Sequence, residues 1–336
     1  MKTITTNIMS AALIAPLLYG CSSDIGDNRD KTIAHIAFTA TDVIPVTATR
    51  GTQITKDDIS SFGVSCAIYP ATTSYTSAGC GSYFYNMEVD AATGTTDRYW
   101  PGSEYKVSFF AYAPYNNPLL TIRSKKDIGY PVYAYTVPSD ITRQVDFITA
   151  DVIEHSGTGT TEPVALTFSH RLTDIRITCE NTGAEHATLK SISLCGLEYS
   201  GTFSGNTWTL TGNKNSSTEN PFTLTVERTL APESTIDVTG TENHFLMLPQ
   251  KVPAGTQLFD IHATVAGETR RFYYILDKDL TLEAGKVYTF KLKLSDILEV
   301  DEETDIQDWK EQTDRTGIPT QTGTDAETHI FPWTEE

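Results

Sequence analysis

The sequence predicts an all-β protein, arranged as two tandem β-sandwiches of about seven strands each. Three observations carry that reading. From Ile33 onward, apolar side chains recur at every second position, the period of a half-buried strand. No stretch keeps a helical period over three turns. Turn-rich pieces such as "AATGTTD", "YNNP" and "HSGTGTTEP" punctuate the alternation. Thr and Ser are abundant, and long Ala/Leu/Glu/Lys runs are missing, which favours strands. With 336 residues, 39% of them apolar and 20% charged, the chain can bury a core in each of two ordinary domains.

The N-terminus, "MKTITTNIMSAALIAPLLYGCSSDIGDN", carries Lys2 before an apolar core from Ile8 to Tyr19. That core is too short to span a bilayer as a helix and reads as a secretory signal. Leu18-Tyr19-Gly20-Cys21 resembles a bacterial lipobox, in which the cysteine thiol is diacylated and cleavage makes it the new N-terminus. Acyl chains contribute about 0.8 kcal/mol per buried CH₂, so two or three anchor a protein stably. Residues 1–20 are therefore expected to be a lipoprotein signal peptide, and residues 21–32 a linker after lipidated Cys21. Ser22, Ser23, Asp24 and Asp27 resemble the acidic stretch that exports Bacteroidetes lipoproteins to the outer face of the outer membrane.

The first sandwich is expected over residues 33–181. Ala34, Ile36, Phe38 and Ala40 share one face of its leading strand, and Ile44 and Val46 continue that face. Phe62, Val64, Cys66 and Ile68 repeat the pattern. Further strands are expected at Tyr83–Val89, Tyr105–Ala113, Pro131–Val137, Val145–Ala150 and Val164–Cys179. In "YWPGSEYKVSFFAYAPYN" (Tyr99–Asn116), Val107, Phe109 and Ala111 face one side, Phe110 and Tyr112 the other. Such a strand is central and buried; the competing reading is a sugar-stacking platform with Trp100, Tyr112 or Tyr115 exposed.

After the polar break "ENTGAEH" (Glu180–His186), a second sandwich is expected over residues 182–309. Its strands are Thr188–Leu197, Thr202–Leu210, Phe222–Val226, His244–Leu248, Gln257–Val265, Thr269–Leu276 and Val287–Leu294. Residues 310–336 form an acidic, Thr/Gly-rich tail. Asp301, Glu302, Glu303 and Asp305 lack the spacing and turn glycine of a calcium loop and read as a solvated charge run.

A net charge of -18 argues against nucleic-acid partners, because phosphate binding needs clustered Lys and Arg. Cysteines 21, 66, 80, 179 and 195 contain no CxxC pair, which argues against a zinc site, and no cofactor or metal is expected. Cys66 and Cys80 could form a disulfide, as could Cys179 and Cys195; four buried free thiols fit the pattern equally. The seven histidines are scattered, and HExxH, GxSxG and P-loop motifs are missing, so an enzyme is not expected. His170, inside "LTFSHRLTDI", reads as a structural histidine hydrogen-bonded at a sheet edge.

A series of stretches resembles the fimbrillin family of Bacteroidales, the lipoprotein precursors of surface pili. They are the lipobox, "TRGTQIT", "SSFGVSCAIY", "YWPGSEYKVSFFAYAPYN", "VDFITA", "PVALTFSHRLTDIRI", "ISLCGLEYSGTFS", "FLMLPQ", "AGKVYTFKLKL" and "DIQDWKEQ", spanning residues 21 to 312. The resemblance implies transthyretin-like sandwiches and a pilus subunit made for cell adhesion, exposed at the surface of the outer membrane. It also implies cleavage by an arginine-specific protease after the first strand. The vacated groove is then filled by an extended segment of another pilin subunit. Arg50, followed by Gly51, matches the processing position and has no Lys or Arg competitor back to Lys31. Ile36, Phe38, Ile44 and Val46 would then line the first strand in its groove. Tip pilins of the family lack a free C-terminal donor, and "DEETD" here is poor donor material, so an accessory or tip pilin ranks above a backbone subunit and an anchor. The alternatives are a monomeric, surface-anchored glycan-binding lipoprotein, with a host or bacterial surface ligand, or a pilus anchor.

Overall fold

Alternating apolar residues do form strands, paired over long distances along the chain. The computed structural model describes residues 34–42, 58–76, 79–123, 130–240, 243–295, 298–300 and 305–308. Cys21, Ile44, Val46, Arg50, Gly51 and the acidic tail lie outside these residues. In chain order the first strands are β1 (His35–Asp42), β2 (Ser61–Pro70), β3 (Gly81–Asp90), β4 (Thr95–Tyr99) and β5 (Tyr105–Ala113). They continue as β6 (Leu120–Arg123), β7 (Val132–Thr136), β8 (Ile148–Ser156), β9 (Val164–Thr167) and β10 (Ser169–His170). Then follow β11 (Thr173–Asn181), β12 (Ala187–Leu194), β13 (Ser200–Ser204), β14 (Thr207–Leu210), β15 (Phe222–Leu230), β16 (Thr235–Asp237) and β17 (Phe245–Met247). The remainder are β18 (Gln250–Val252), β19 (Gln257–Val265), β20 (Glu268–Ile275), β21 (Leu280–Leu282), β22 (Lys286–Leu294), β23 (Leu298–Val300) and β24 (Asp305–Asp308). The protein is all-β.

A five-stranded sheet, β10-β8-β5-β2-β3, and a three-stranded sheet, β4-β1-β9, contribute to one core. It holds Ile36 and Phe38 from β1, Phe62, Val64 and Cys66 from β2, Val107, Phe109 and Ala111 from β5, and Leu166 from β9. A second core includes Ile175 and Ile177 of β11, Leu189 and Ile192 of β12, Phe259 and Ile261 of β19, and Tyr288, Phe290, Leu292 and Leu294 of β22. Around it run the sheets β16-β11-β22-β23 (with β17 on β11 and β24 on β22) and β15-β12-β19-β20.

Strand pairing cuts across the break expected at residue 182. β11 ends just before it, yet its ladders run to β16, β17 and β22, all later in the chain. The sheet β14-β13-β7-β6 joins strands from both sides. Side chains reinforce this junction: the Leu246 N–H donates to Gln144 Oε1 at 2.7 Å, and Trp208 Nε1–H to the Arg171 carbonyl at 2.8 Å. The described residues, which begin at Ala34, cluster as one compact unit.

Two alternatives that the sequence leaves open are decided here. Cys66 and Cys80 do not form a disulfide; with Cys179 and Cys195 they are buried thiols. The reason is facial. Cys66 points into the core between the two N-terminal sheets, whereas Cys80 packs with Ala67, Tyr69 and Phe110 in a separate apolar cluster. Burial raises the Cys66 thiol well above its ordinary value and pushes Cys179 and Cys195 up to about 12. Since the thiolate is the reactive form, these three should resist alkylation at pH 8 in the folded protein and react fully in denaturant. Rapid native labelling of any of them, read by mass spectrometry, would contradict this arrangement.

The second is core packing against a sugar-stacking platform, and the buried strand holds. Trp100 is buried, stacked on His155 with ring centroids 4.8 Å apart. Gly159, at φ +70°, passes so close that a Cβ there would lie 2.2 Å from the indole. Tyr112 is buried and Tyr115 partly so. The exposed rings of this stretch are Tyr99 and Tyr105 instead. His170 meets its expectation: buried on edge strand β10, its Nδ1 lies 2.7 Å from Asp146 Oδ2.

Candidate functional site

β1 is held along both of its edges. Toward β4 it is antiparallel, with His35 opposite Tyr99 and Ala37 opposite Thr95. Toward β9 it is parallel, with Phe38, Thr39, Ala40 and Asp42 opposite Val164, Ala165, Leu166 and Thr167. Alternation does the rest. Ile36, Phe38 and Ala40 turn inward and are buried, while His35, Thr39 and Thr41 turn out. The Phe38 ring stands edge-on to Phe109 and Phe62, at centroid distances of 5.1 and 6.4 Å. Burying Ile36 and Phe38 stabilises the strand by about 1.5–3 kcal/mol each.

Polar contacts fix its position lengthwise. Thr96 Oγ1–H donates to the Ile36 carbonyl at 2.6 Å, and the Trp100 N–H to the Ala34 carbonyl at 3.3 Å. Thr41 Oγ1–H donates to the Leu166 carbonyl at 3.3 Å, and the Thr41 and Thr167 hydroxyls are 3.2 Å apart. The Phe38 N–H donates to the Gly94 carbonyl at 2.8 Å. Gly94 closes the turn between β3 and β4. Asp90 Oδ1 accepts from the Ala92 and Thr93 amides there, and the Gly94 N–H donates to the Asp90 carbonyl. Gly94 has φ +63°, and a Cβ on it would lie 1.8 Å from the Phe38 carbonyl oxygen. Only glycine meets both demands.

Of Ile36, Phe38, Ile44 and Val46, the first two are described, and both are buried in one core with Val164 and Leu166 of β9. Gly94 and Thr96 contact the same strand through its backbone. Alternation pointed to the apolar members; nothing local announced that β4 and β9 would be the neighbours of β1.

The sequence matches the profile of a family described as "Fimbrillin-like" over residues 33–309, a span that begins just before β1 and ends just after β24. The chain belongs to the fimbrillin-like family. Among solved structures, a fimbrial protein from Bacteroides vulgatus aligns over 82% of this chain and 99% of its own, with 16% identity and a TM-score of 0.58. A candidate cell adhesion protein from Bacteroides ovatus covers 82% of this chain and 97% of its own, with 18% identity and a TM-score of 0.50. At these identities the likeness is one of fold. A comparison with curated proteins finds no match. Among the described residues of this fimbrillin-like chain, no helix is long and apolar enough to cross a membrane. Family and fold together support a pilin-like adhesion subunit.

Proposed function

We propose that this protein is an accessory or tip subunit of a pilus, exported as an outer-membrane lipoprotein acylated at Cys21. An arginine-specific protease cuts after Arg50, β1 leaves, and an extended segment of another pilin subunit takes its place. The observation that carries this reading is the seating of β1. It is hydrogen-bonded along both edges and plugs an apolar slot with Ile36 and Phe38, and Arg50 follows it before β2 begins. Loss of β1 leaves open N–H and C=O groups on β4 and β9 and an apolar trough between them. A donated strand restores both sets of contacts. Head-to-tail filling does not close on itself, and so extends a fibre. Ile44 and Val46 would leave with the same segment. The pilus would then present the subunit to a host or bacterial surface ligand.

Mass spectrometry of the native surface form tests this. The expected mature N-terminus is Gly51, and Arg50→Ala should leave uncut monomer. A native form that begins at acylated Cys21 and retains β1 overturns the reading in favour of an anchor or a monomeric glycan-binding lipoprotein.

A further inference from the structure

The slot does more than accept any extended chain. Its contacts with β1 impose a pattern. The position of Ile36 is fully buried and takes a bulky aliphatic group. The position of Phe38 takes a ring edge-on to Phe62 and Phe109. The position of Ala40 lies opposite Leu166 and is nearly buried with only a methyl group present, so a longer side chain there is overpacked. Direction is set by β9, which β1 parallels. The Gly94 turn fixes the frame, because its carbonyl takes the N–H of the residue at the Phe38 position and its bare Cα lies against that residue's carbonyl. A proline there has no N–H to give and leaves the Gly94 carbonyl without that donor.

We propose that Gly94 is the frame-setting residue of the slot. The partner strand runs parallel to β9, bulky at the first inward position, bulky with a free N–H at the second, and small at the third. This deepens, and rests on, the reading that β1 is replaceable. The rule also excludes a donor. In residues 298–336, Leu298 and Val300 would bring Glu302 to the Ala40 position. Ile330 at the first position brings Pro332 opposite Gly94, and Phe331 there brings Glu335 to the third. The partner is therefore a differently patterned segment of another subunit, not residues 298–336 of a second copy.

The test uses the uncut full-length chain, so its outcome is independent of whether Arg50 is processed. Phe38→Ala loosens β1 without altering the slot; Ile36→Ala does the same should the first variant fail to fold. A fluorescent peptide of residues 34–42 is titrated onto the loosened chain and followed by anisotropy. It is expected to bind. Its Phe38→Pro and Ala40→Leu versions, and a peptide of residues 326–336, are each expected to bind at least fivefold more weakly. Adding Gly94→Ala to the loosened chain should weaken the parent peptide by the same factor. Discrimination below fivefold in any of these comparisons, or no binding of the parent peptide to either loosened chain, overturns the proposal.

Discussion

Replacing Phe109 with alanine is expected to destabilise the protein by about 3–5 kcal/mol, a large share of the 5–15 kcal/mol that holds a typical domain folded. Phe109 is fully buried on β5, between β2 and β8 in the five-stranded sheet. Its ring meets those of Phe38 at 5.1 Å, Trp100 at 5.9 Å, His155 at 6.2 Å and Phe84 at 6.4 Å. Three strands and the segment after β4 thus lean on one side chain, and a cavity there cannot be closed by moving any one of them. Truncating Phe38 removes the same side chain from the edge of the arrangement, on a strand belonging to the smaller sheet. Hydrogen exchange should separate the two. Phe109→Ala should raise exchange through β2, β5 and β8, whereas Phe38→Ala should confine it to β1 and its neighbours. Denaturant unfolding gives the magnitude; a loss under about 1.5 kcal/mol for Phe109→Ala would mean that the surrounding rings collapse into the gap.

That contrast bears on function. A strand that is to be exchanged must be well seated while present, yet its removal must not bring down the sheet opposite. The proposed exchange would draw on the placement of β1. Its two edge partners belong to the three-stranded sheet, and the β2, β5 and β8 ladders do not include it.

Much of this was legible from alternation, where strands are long and have one apolar rhythm. β5 and β19 fall where the pattern puts them, and β22 shows its inward set of Tyr288, Phe290, Leu292 and Leu294. The stretch Val164–Cys179 misleads, because its apolar pattern runs through two changes of sheet. β9 serves β1, β10 serves β8, and β11 joins the later strands. Alternation reports which face is buried, not which neighbour buries it. Thr202–Leu210 is likewise two strands, folded at Gly205 and Asn206, both at positive φ. Short polar strands such as β4 leave no periodic trace. So Ile36 and Phe38 could be read as buried, while Gly94 looked like one more turn glycine in "AATGTTD". Its role exists only once β1 arrives from about fifty residues earlier in the chain.

The second large effect is expected at Asp174, in the other core region. This carboxylate is fully buried on β11. Its Oδ2 lies 2.8 Å from Arg176 Nη2 and accepts from Arg176 Nε–H at 2.8 Å, and His244 Nδ1 lies 3.2 Å away. Burial pushes its pKa up, but the charges and hydrogen bonds of His244 and Arg176 outweigh burial and hold it below the ordinary carboxylate value. A folded-state value below the unfolded one means stability that is present above about pH 4 and lost as pH falls through the folded value. Asp174→Asn keeps the shape but leaves Arg176 and His244 facing a neutral amide, and breaking such a buried pair costs about 3–5 kcal/mol. The gap between wild type and variant should be widest at neutral pH and narrow below about pH 4, as wild-type Asp174 also takes up a proton. Denaturant titrations at pH 7 and pH 3 measure it. An equal gap at both values would mean that packing of the amide, rather than loss of the charge, weakens the variant.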